Sequence, residues 1–265
     1  MRYINSFLKI FFLVLFITAY NNSFGSPTDD SLKIQSKIPD GLIILMEAYP
    51  DYIDSIDENH LYWRDGEVMI YDDGIKKNFD EMMKSPSLKD MFYFKYTVGA
   101  DYEVPDVNFD PGRVRNSEFF GKMYGNTESQ VKSNLTYINW MPEFTNTKLL
   151  VTTVNGVDKQ LQAVSDELQK LPPELRKYVT KTAGTFNYRN IAGTDLISAH
   201  GYGIAIDINT DYSDYWQWSK TGKYRNRIPM EIVSIFEKYG FIWGGKWYHF
   251  DTMHFEYRPE QIIKH

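Results

Sequence analysis

The 265-residue sequence contains no cysteine, and this absence excludes several kinds of site at once. Disulfide bonds, zinc sites built from thiolates and lipid attachment through a cysteine all need a sulfur atom that the chain lacks. Any metal ion must therefore be held by histidine, aspartate or glutamate. Histidine is itself scarce, with five residues, so few combinations of ligands are available.

The chain also lacks an excess of positive charge. It has 29 lysine and arginine residues against 35 aspartate and glutamate residues, which gives a formal net charge of −6. Binding to nucleic acid or to an anionic membrane surface requires a basic footprint that this composition does not supply. We therefore expect neither partner, and the sequence gives no indication of the oligomeric state.

Long apolar runs are rare as well. The run Ile10–Ala19 follows the basic residues Arg2 and Lys9, and small residues stand at Ser23 to Gly25. This pattern predicts a secretory signal peptide over residues 1–25, and so an exported protein, periplasmic or extracellular. A membrane anchor is the alternative, but ten residues fall short of the ~20 needed to span a bilayer, so we expect no stable membrane insertion.

Two regions follow the predicted signal peptide. Residues 26–100 are expected to form an N-terminal extension, with a β-hairpin turning at Asp65-Gly66 between two runs of aromatic and β-branched residues. Residues 101–265 are expected to form a separate domain, with a short helix at 117–124. The role of the extension is not indicated by its sequence.

The second region alternates helices with short strands. Apolar residues at helical spacing after Asn155-Gly156 predict a helix that Pro172 stops, and another helix is predicted to start at Pro229 and end at Gly240. The predicted strands are Thr185–Tyr188, Gly203–Ile208, Phe241–Trp243 and His254–Tyr257. This order favours an α+β domain, a small antiparallel sheet flanked by helices.

Two short stretches bring metal-ligating residue types together. SAHGYGIAID carries His200 and Asp207, and DTMH carries Asp251 and His254. A hydrolytic zinc site uses three protein ligands and leaves one position open. A histidine and an aspartate alone are more often ordinary buried or turn residues, but the second stretch favours a site. The three-residue spacing lets His254 bind a metal while Asp251 stays near enough to accept a proton.

Other residues near these stretches have competing interpretations. His249 is a less favoured ligand or lines a groove, and His60 is more simply a strand residue. Ser198 has no evident histidine paired with it as a base, so we expect it to orient a ligand rather than act as a nucleophile. Glu256 shares a strand face with His254 and is expected to contact a neighbouring strand or to orient His254, rather than to bind zinc. Three aromatic residues either floor a groove or pack under the loop: Trp243, Trp247 and Tyr248.

The two stretches resemble the zinc D-alanyl-D-alanine carboxypeptidases and related LAS metallopeptidases. The family signature SxHxxGxAxD is matched at every fixed position, and WYHFDTMHFE resembles the later (D/E)xxHFE element. The matched positions of the first signature are Ser198, His200, Gly203, Ala205 and Asp207. The tight match covers roughly residues 180–257, and the extension lies outside it. The segments DPGRVRNSEFFGKMYG and TTVNGVDKQLQAV also resemble longer bacterial members of this group.

The resemblance implies a Zn²⁺ ion held by His200, Asp207 and His254, with Asp251 as the general base. It also implies an arginine that steadies the substrate carbonyl or carboxylate, and Arg189 is similarly placed. The implied substrates are peptidoglycan stem peptides, cleaved as by a D,D-carboxypeptidase. Aspartate at position 251 is also found in the branch with cell-wall endopeptidases, so an L-Ala-D-Glu or other stem-peptide endopeptidase remains open, as does a non-catalytic cell-wall binding module that retains the metal.

Overall fold

The computed structural model describes residues 38–191, 193–219 and 222–263. The chain divides into one unit at Met1–Pro39 and a second, compact unit at Asp40–His265. The predicted signal peptide lies outside the described residues. In the part of the chain that is described, no helix has both the length and the apolar character needed to cross a bilayer.

The N-terminal part of the second unit is a helix followed by a three-stranded antiparallel sheet. Helix α1 (Asp40–Ala48) precedes strands β1 (Ile53–Ile56), β2 (His60–Trp63) and β3 (Val68–Ile70). Strands β2 and β3 are joined by a tight turn in which Gly66 has a φ of 91°, a conformation that favours glycine. The predicted hairpin is confirmed.

Short helices and a second small sheet occupy the middle of the chain. The side chain of Asn116 accepts a hydrogen bond from the Phe119 amide and caps a helix at the predicted position, 117–124. The elements in this part are α2 (Phe79–Lys84), α3 (Ser117–Tyr124), α4 (Glu128–Ser133), β4 (Leu135–Asn139) and β5 (Lys148–Thr152). Strands β4 and β5 pair antiparallel.

The next helix, α5 (Val157–Leu168), buries an apolar stripe at helical spacing. Gly156 stands before it in the left-handed conformation, with a φ of 70°. The helix ends ahead of Pro172, as predicted, and a single helical turn, α6 (Pro173–Arg176), follows.

The four-stranded antiparallel sheet positions the site. Its strands lie in the order β6-β7-β9-β8, and helix α7 (Met230–Lys238) packs on it through Phe236, whose ring stacks on that of Phe255 with 3.8 Å between centroids. Helix α7 ends before Gly240, which has a φ of 88°. The strands are β6 (Thr182–Gly184), β7 (Ala205–Ile208), β8 (Phe241–Trp243) and β9 (His254–Tyr257). The predicted α+β class is confirmed.

One local prediction was wrong. The strand expected at Thr185–Tyr188 ends earlier, because Gly184 has a φ of 117° and leaves the extended conformation. The strand predicted at Gly203–Ile208 is present but begins at Ala205, because Gly203 is left-handed with a φ of 71°. His200 lies before it, in a 3₁₀ turn at Ala199–Tyr202.

Residues 40–100 are packed on the rest of the second unit through buried polar contacts. The Tyr96 hydroxyl donates to Glu237 Oε1 at 2.7 Å, and the buried Lys246 ammonium lies 2.5 Å from the same oxygen. Lys246 also donates to the Thr97 carbonyl at 2.7 Å. The extension therefore contributes to the surroundings of the loop that leads to β9, while the functional boundary at residue 100 stays a prediction.

Candidate metal centre

His200 is held by the turn that carries it. The Ser198 hydroxyl accepts a hydrogen bond from the Gly201 amide at 3.2 Å and caps the 3₁₀ turn. The His200 Nδ1 lies 2.6 Å from the Thr185 carbonyl oxygen. Because a carbonyl can only accept, Nδ1 carries the proton and Nε2 presents its lone pair to the site.

Asp207 and His254 are brought together by strand register. Asp207 on β7 and His254 on β9 are direct partners in the antiparallel ladder. Side chains of directly opposed residues point to the same face of a sheet. The ligating atoms of these two residues therefore meet on one face, beside the turn that holds His200.

Three atoms converge at this point. Asp207 Oδ1 lies 3.1 Å from His200 Nε2 and 3.0 Å from His254 Nδ1, and the two imidazole nitrogens are 3.2 Å apart. In a tetrahedral zinc site with bonds of ~2.0–2.1 Å, ligand atoms are separated by about 3.3 Å. His200, Asp207 and His254 thus form a group that can hold a metal ion, and the spacing and donor set fit zinc.

The second nitrogen of His254 is bound by a buried carboxylate. His254 Nε2 lies 3.1 Å from Glu256 Oε2, which also accepts from Arg115 Nη1 at 2.7 Å. The other Glu256 oxygen accepts from Arg258 Nη1 at 3.0 Å. A carboxylate that holds the outer nitrogen of a histidine fixes its ring and raises its basicity toward a metal. Glu256 therefore orients His254, as its strand position predicted.

The charges of this cluster are strongly coupled. Burial lowers the pKa of His254, but the hydrogen bonds to Asp207 and Glu256 outweigh it and raise that pKa to about 10. Burial raises the pKa of Asp207, yet the two imidazoles hold it well below its usual range. The pKa of Glu256 is likewise held low, chiefly by Arg115 against the effect of burial. The cluster favours a cation at the point where the three ligand atoms meet.

Asp251 stands beside the three converging side chains without joining them. Its amide donates to the Gly244 carbonyl at 2.9 Å, and its carbonyl accepts from the His254 amide at 3.2 Å. Its Oδ1 is buried with no hydrogen-bond partner among the described residues. Burial raises the pKa of Asp251 to about 6. A carboxylate with a pKa near neutrality and a free oxygen is suited to exchange protons.

A cleft of about 390 Å³ opens over the cluster. Arg189 lines it, with an exposed side chain on the segment before the 3₁₀ turn. Ser198 donates its backbone amide to the Arg189 carbonyl at 3.0 Å, which ties this segment to the turn. The structure thus places Arg189 at the same cleft as the three candidate ligands and Asp251.

The competing histidines lie elsewhere. His249 Nδ1 lies 2.6 Å from Asp110 Oδ2, in a hydrogen bond away from the ligand cluster. His60 begins β2, as expected, and its Nδ1 lies 3.0 Å from Asp57 Oδ1. Neither belongs to the group of three that can hold a metal among the described residues.

The aromatic residues near the second stretch were expected either to floor a groove or to pack under the loop, and the structure shows both arrangements. Trp243 is fully buried and donates to the Thr252 carbonyl at 2.9 Å, so it packs under the loop. Trp247 lines the cleft, with its ring centroid 5.6 Å from that of His254. Tyr248 is 38% exposed at the surface.

Several cleft and supporting residues were missed by sequence reasoning. Arg113, Arg115 and Tyr215 line the cleft, and Thr185 supplies the carbonyl that fixes the His200 tautomer. The backbone contact of Thr185 carries no side-chain signal. The two arginines lie in the segment DPGRVRNSEFF, where the density of charge beside aromatic residues was the available signal.

Comparison with known proteins gives one match. A family model described as D-alanyl-D-alanine carboxypeptidase matches residues 192–257, a segment that includes the three candidate ligands and Asp251 but not Arg189. The searches of curated proteins and of solved structures found no match. Over residues 192–257 the chain is thus similar to metallopeptidases of the D-alanyl-D-alanine carboxypeptidase family, and the resemblance seen in the sequence is confirmed for that segment.

Proposed function

We propose that the chain is an exported, zinc-dependent peptidase that cleaves peptidoglycan stem peptides as a D,D-carboxypeptidase. The observation that carries this proposal is the convergence of two imidazole nitrogens and one carboxylate oxygen within 3.0–3.2 Å of one another, below an open cleft. The match of residues 192–257 to the carboxypeptidase family model supports the reaction class. The apolar run near the N-terminus supports export.

His200, Asp207 and His254 would hold the metal ion. When bound, zinc supplies Lewis acidity at the scissile carbonyl and favours ionisation of water. The Thr185 carbonyl accepts from His200 Nδ1 and the Glu256 carboxylate holds His254 Nε2, so that His200 Nε2 and His254 Nδ1 face the site. These contacts fix the ligands before the metal arrives.

Asp251 would act as the general base and then the general acid. Its Oδ1, which has no hydrogen-bond partner in the described part of the chain, would accept a proton from the attacking water and later deliver it to the leaving amine. Arg189 would stabilise the negative charge that develops on the carbonyl oxygen, or bind the substrate carboxylate. Both side chains line the cleft that the peptide would enter.

The experiment is digestion of purified muropeptides by the zinc-loaded protein, followed by mass spectrometry. Loss of one terminal alanine is the expected result. Internal scission of the stem peptide would assign the chain to the endopeptidases instead. Stoichiometric zinc with no hydrolysis of any muropeptide would contradict a peptidase function and favour a cell-wall binding module that keeps the metal.

A further inference from the structure

A second arginine, Arg113, lines the cleft, although it lies outside the segment of the chain that matches the family model. Arg113 precedes α3 in the chain, and its side chain lines the cleft together with His200 and His254. The sequence indicated no individual role for Arg113, although its segment resembles longer bacterial members of the family. Its surroundings indicate a fixed position rather than a solvated surface charge.

Two contacts hold the Arg113 guanidinium. Its Nη1 donates to Asp110 Oδ2 at 2.7 Å, and Asp110 is fully buried. The guanidinium carbon lies 5.8 Å from the centre of the Trp247 ring, and that ring packs beside His254. The indole of Trp247 is itself anchored through a 2.7 Å hydrogen bond to the Pro111 carbonyl. The charge is therefore held at the metal-binding wall of the cleft.

Most of the hydrogen-bonding capacity of Arg113 is not used by the residues that the structure describes. A guanidinium has five N–H donors, and among the described residues Asp110 is the one partner found for that of Arg113. The neighbouring Arg115 differs, since it is bound to the buried Glu256. Tyr215, on another wall of the cleft, lies near enough that both Arg113 and Arg189 lower its pKa, although burial raises it overall. The charges of Arg113 and Arg189 thus both act on the part of the cleft that Tyr215 lines.

We propose that Arg113 binds a free carboxylate of the substrate, so that the cleft selects peptides with a carboxylate beside the scissile amide. This inference rests on the proposed function and deepens it. A planar guanidinium pre-ordered by Asp110 and Trp247 matches the two oxygens of a carboxylate with little loss of side-chain entropy. The carboxylate can be the C-terminal one of the peptide or that of an internal acidic residue.

Binding of matched peptides tests the proposal. The probes are a stem pentapeptide, its C-terminal amide, and a derivative in which the internal D-glutamate carboxylate is an amide. Calorimetry measures Kd on the zinc-loaded Asp251→Asn protein, which is expected not to turn the peptides over. The same measurement is made after adding Arg113→Gln, Arg113→Lys or, as a control, Arg64→Gln. Arg64 is exposed and paired with Asp54 on the N-terminal sheet.

We expect the free acid to bind on the order of 10- to 100-fold more tightly than one of the two amides, and that amide identifies which carboxylate is bound. Arg113→Gln should bring the ratio close to one, Arg113→Lys should retain part of it, and Arg64→Gln should leave it unchanged. The ratio is internal to each variant, so a partly unfolded sample does not alter it. Should Arg113→Gln fail to fold, the reduced ratio expected for Arg113→Lys carries the test.

A ratio that survives Arg113→Gln, or equal binding of the acid and both amides by the parent protein, overturns the inference. Absence of binding by all three peptides also overturns it. Failure of the proposed function is a separate result: the wild-type zinc protein would hydrolyse no muropeptide, whatever the ratio of the dissociation constants. Hydrolysis with a ratio independent of Arg113 would retain the peptidase and remove only this residue from substrate selection.

Discussion

Replacement of Asp251 by asparagine separates catalysis from metal binding. The change keeps the shape of the side chain but removes its capacity to accept a proton at neutral pH. Asp251 is outside the group of three that can hold the metal, so we expect zinc to remain bound. General acid–base catalysis contributes typically 10²–10⁴-fold to rates, and we expect kcat to fall by about that factor, equivalent to about 2.7–5.4 kcal/mol.

The same substitution should stabilise the metal-free protein. Burial raises the pKa of Asp251 from its ordinary 3.8 to about 6. Above both values the ionised carboxylate makes folding less favourable, by at most about 3 kcal/mol at 1.36 kcal/mol per pH unit. Asparagine removes this cost at pH 7. The gain should shrink as the pH falls through about 6 toward 3.8, because the wild-type carboxyl is then protonated.

Three measurements on one preparation check this reasoning: zinc content by mass spectrometry, turnover of muropeptides, and Tm of the chelator-treated protein at pH 7 and pH 4. Asp211→Asn is the matched control, since Asp211 is exposed and paired with Lys181 on the surface. The reasoning is refuted if Asp251→Asn retains wild-type turnover. Loss of zinc along with turnover would instead make Asp251 a ligand or a structural support.

Three further predictions concern the ligand cluster. Either His200→Ala or His254→Ala should abolish both stoichiometric zinc and hydrolysis, and metal analysis that finds full zinc in either variant would contradict the assignment. Glu256→Gln should weaken zinc binding by about 10- to 100-fold in a competition with a chelator, because the buried carboxylate that orients His254 is lost; unchanged affinity would remove Glu256 from the site. Zinc binding at pH 7 should release about one proton, since the pKa of His254 is raised to about 10 in the absence of a cation; calorimetric enthalpies that do not vary with the buffer would contradict this.

The candidate ligands could be found from the sequence because their residue types, their short spacing and their order along the chain form a recognisable pattern. His200 and Asp207 stand seven positions apart with two glycines between them, and the register of β7 and β9 brings Asp207 opposite His254. The two ends of α7, marked by Pro229 and Gly240, were also readable from the sequence. The family model matches the same part of the chain.

The features that could not be predicted from the sequence depend on contacts between residues that are far apart in the chain. Arg113 and Arg115 reach the cleft because their segment packs on Trp247 and Glu256, more than 130 positions away in the chain. The tautomer of His200 depends on a backbone carbonyl, whose position follows from the fold and not from residue type. The strand predicted at Thr185–Tyr188 was wrong because Gly184, with a φ of 117°, redirects the backbone just before it.

The buried ammonium of Lys246 limits how the segment that matches the family model, residues 192–257, could be transferred to another protein. Besides Glu237, its acceptors are the carbonyls of Thr97 and Gly99, which lie far upstream of residues 192–257. If residues 192–257 alone were transferred to another scaffold, the Lys246 ammonium would lose two of its three oxygen acceptors. Recombination that transfers this chemistry between proteins must therefore carry residues 97–99, or replace the lysine.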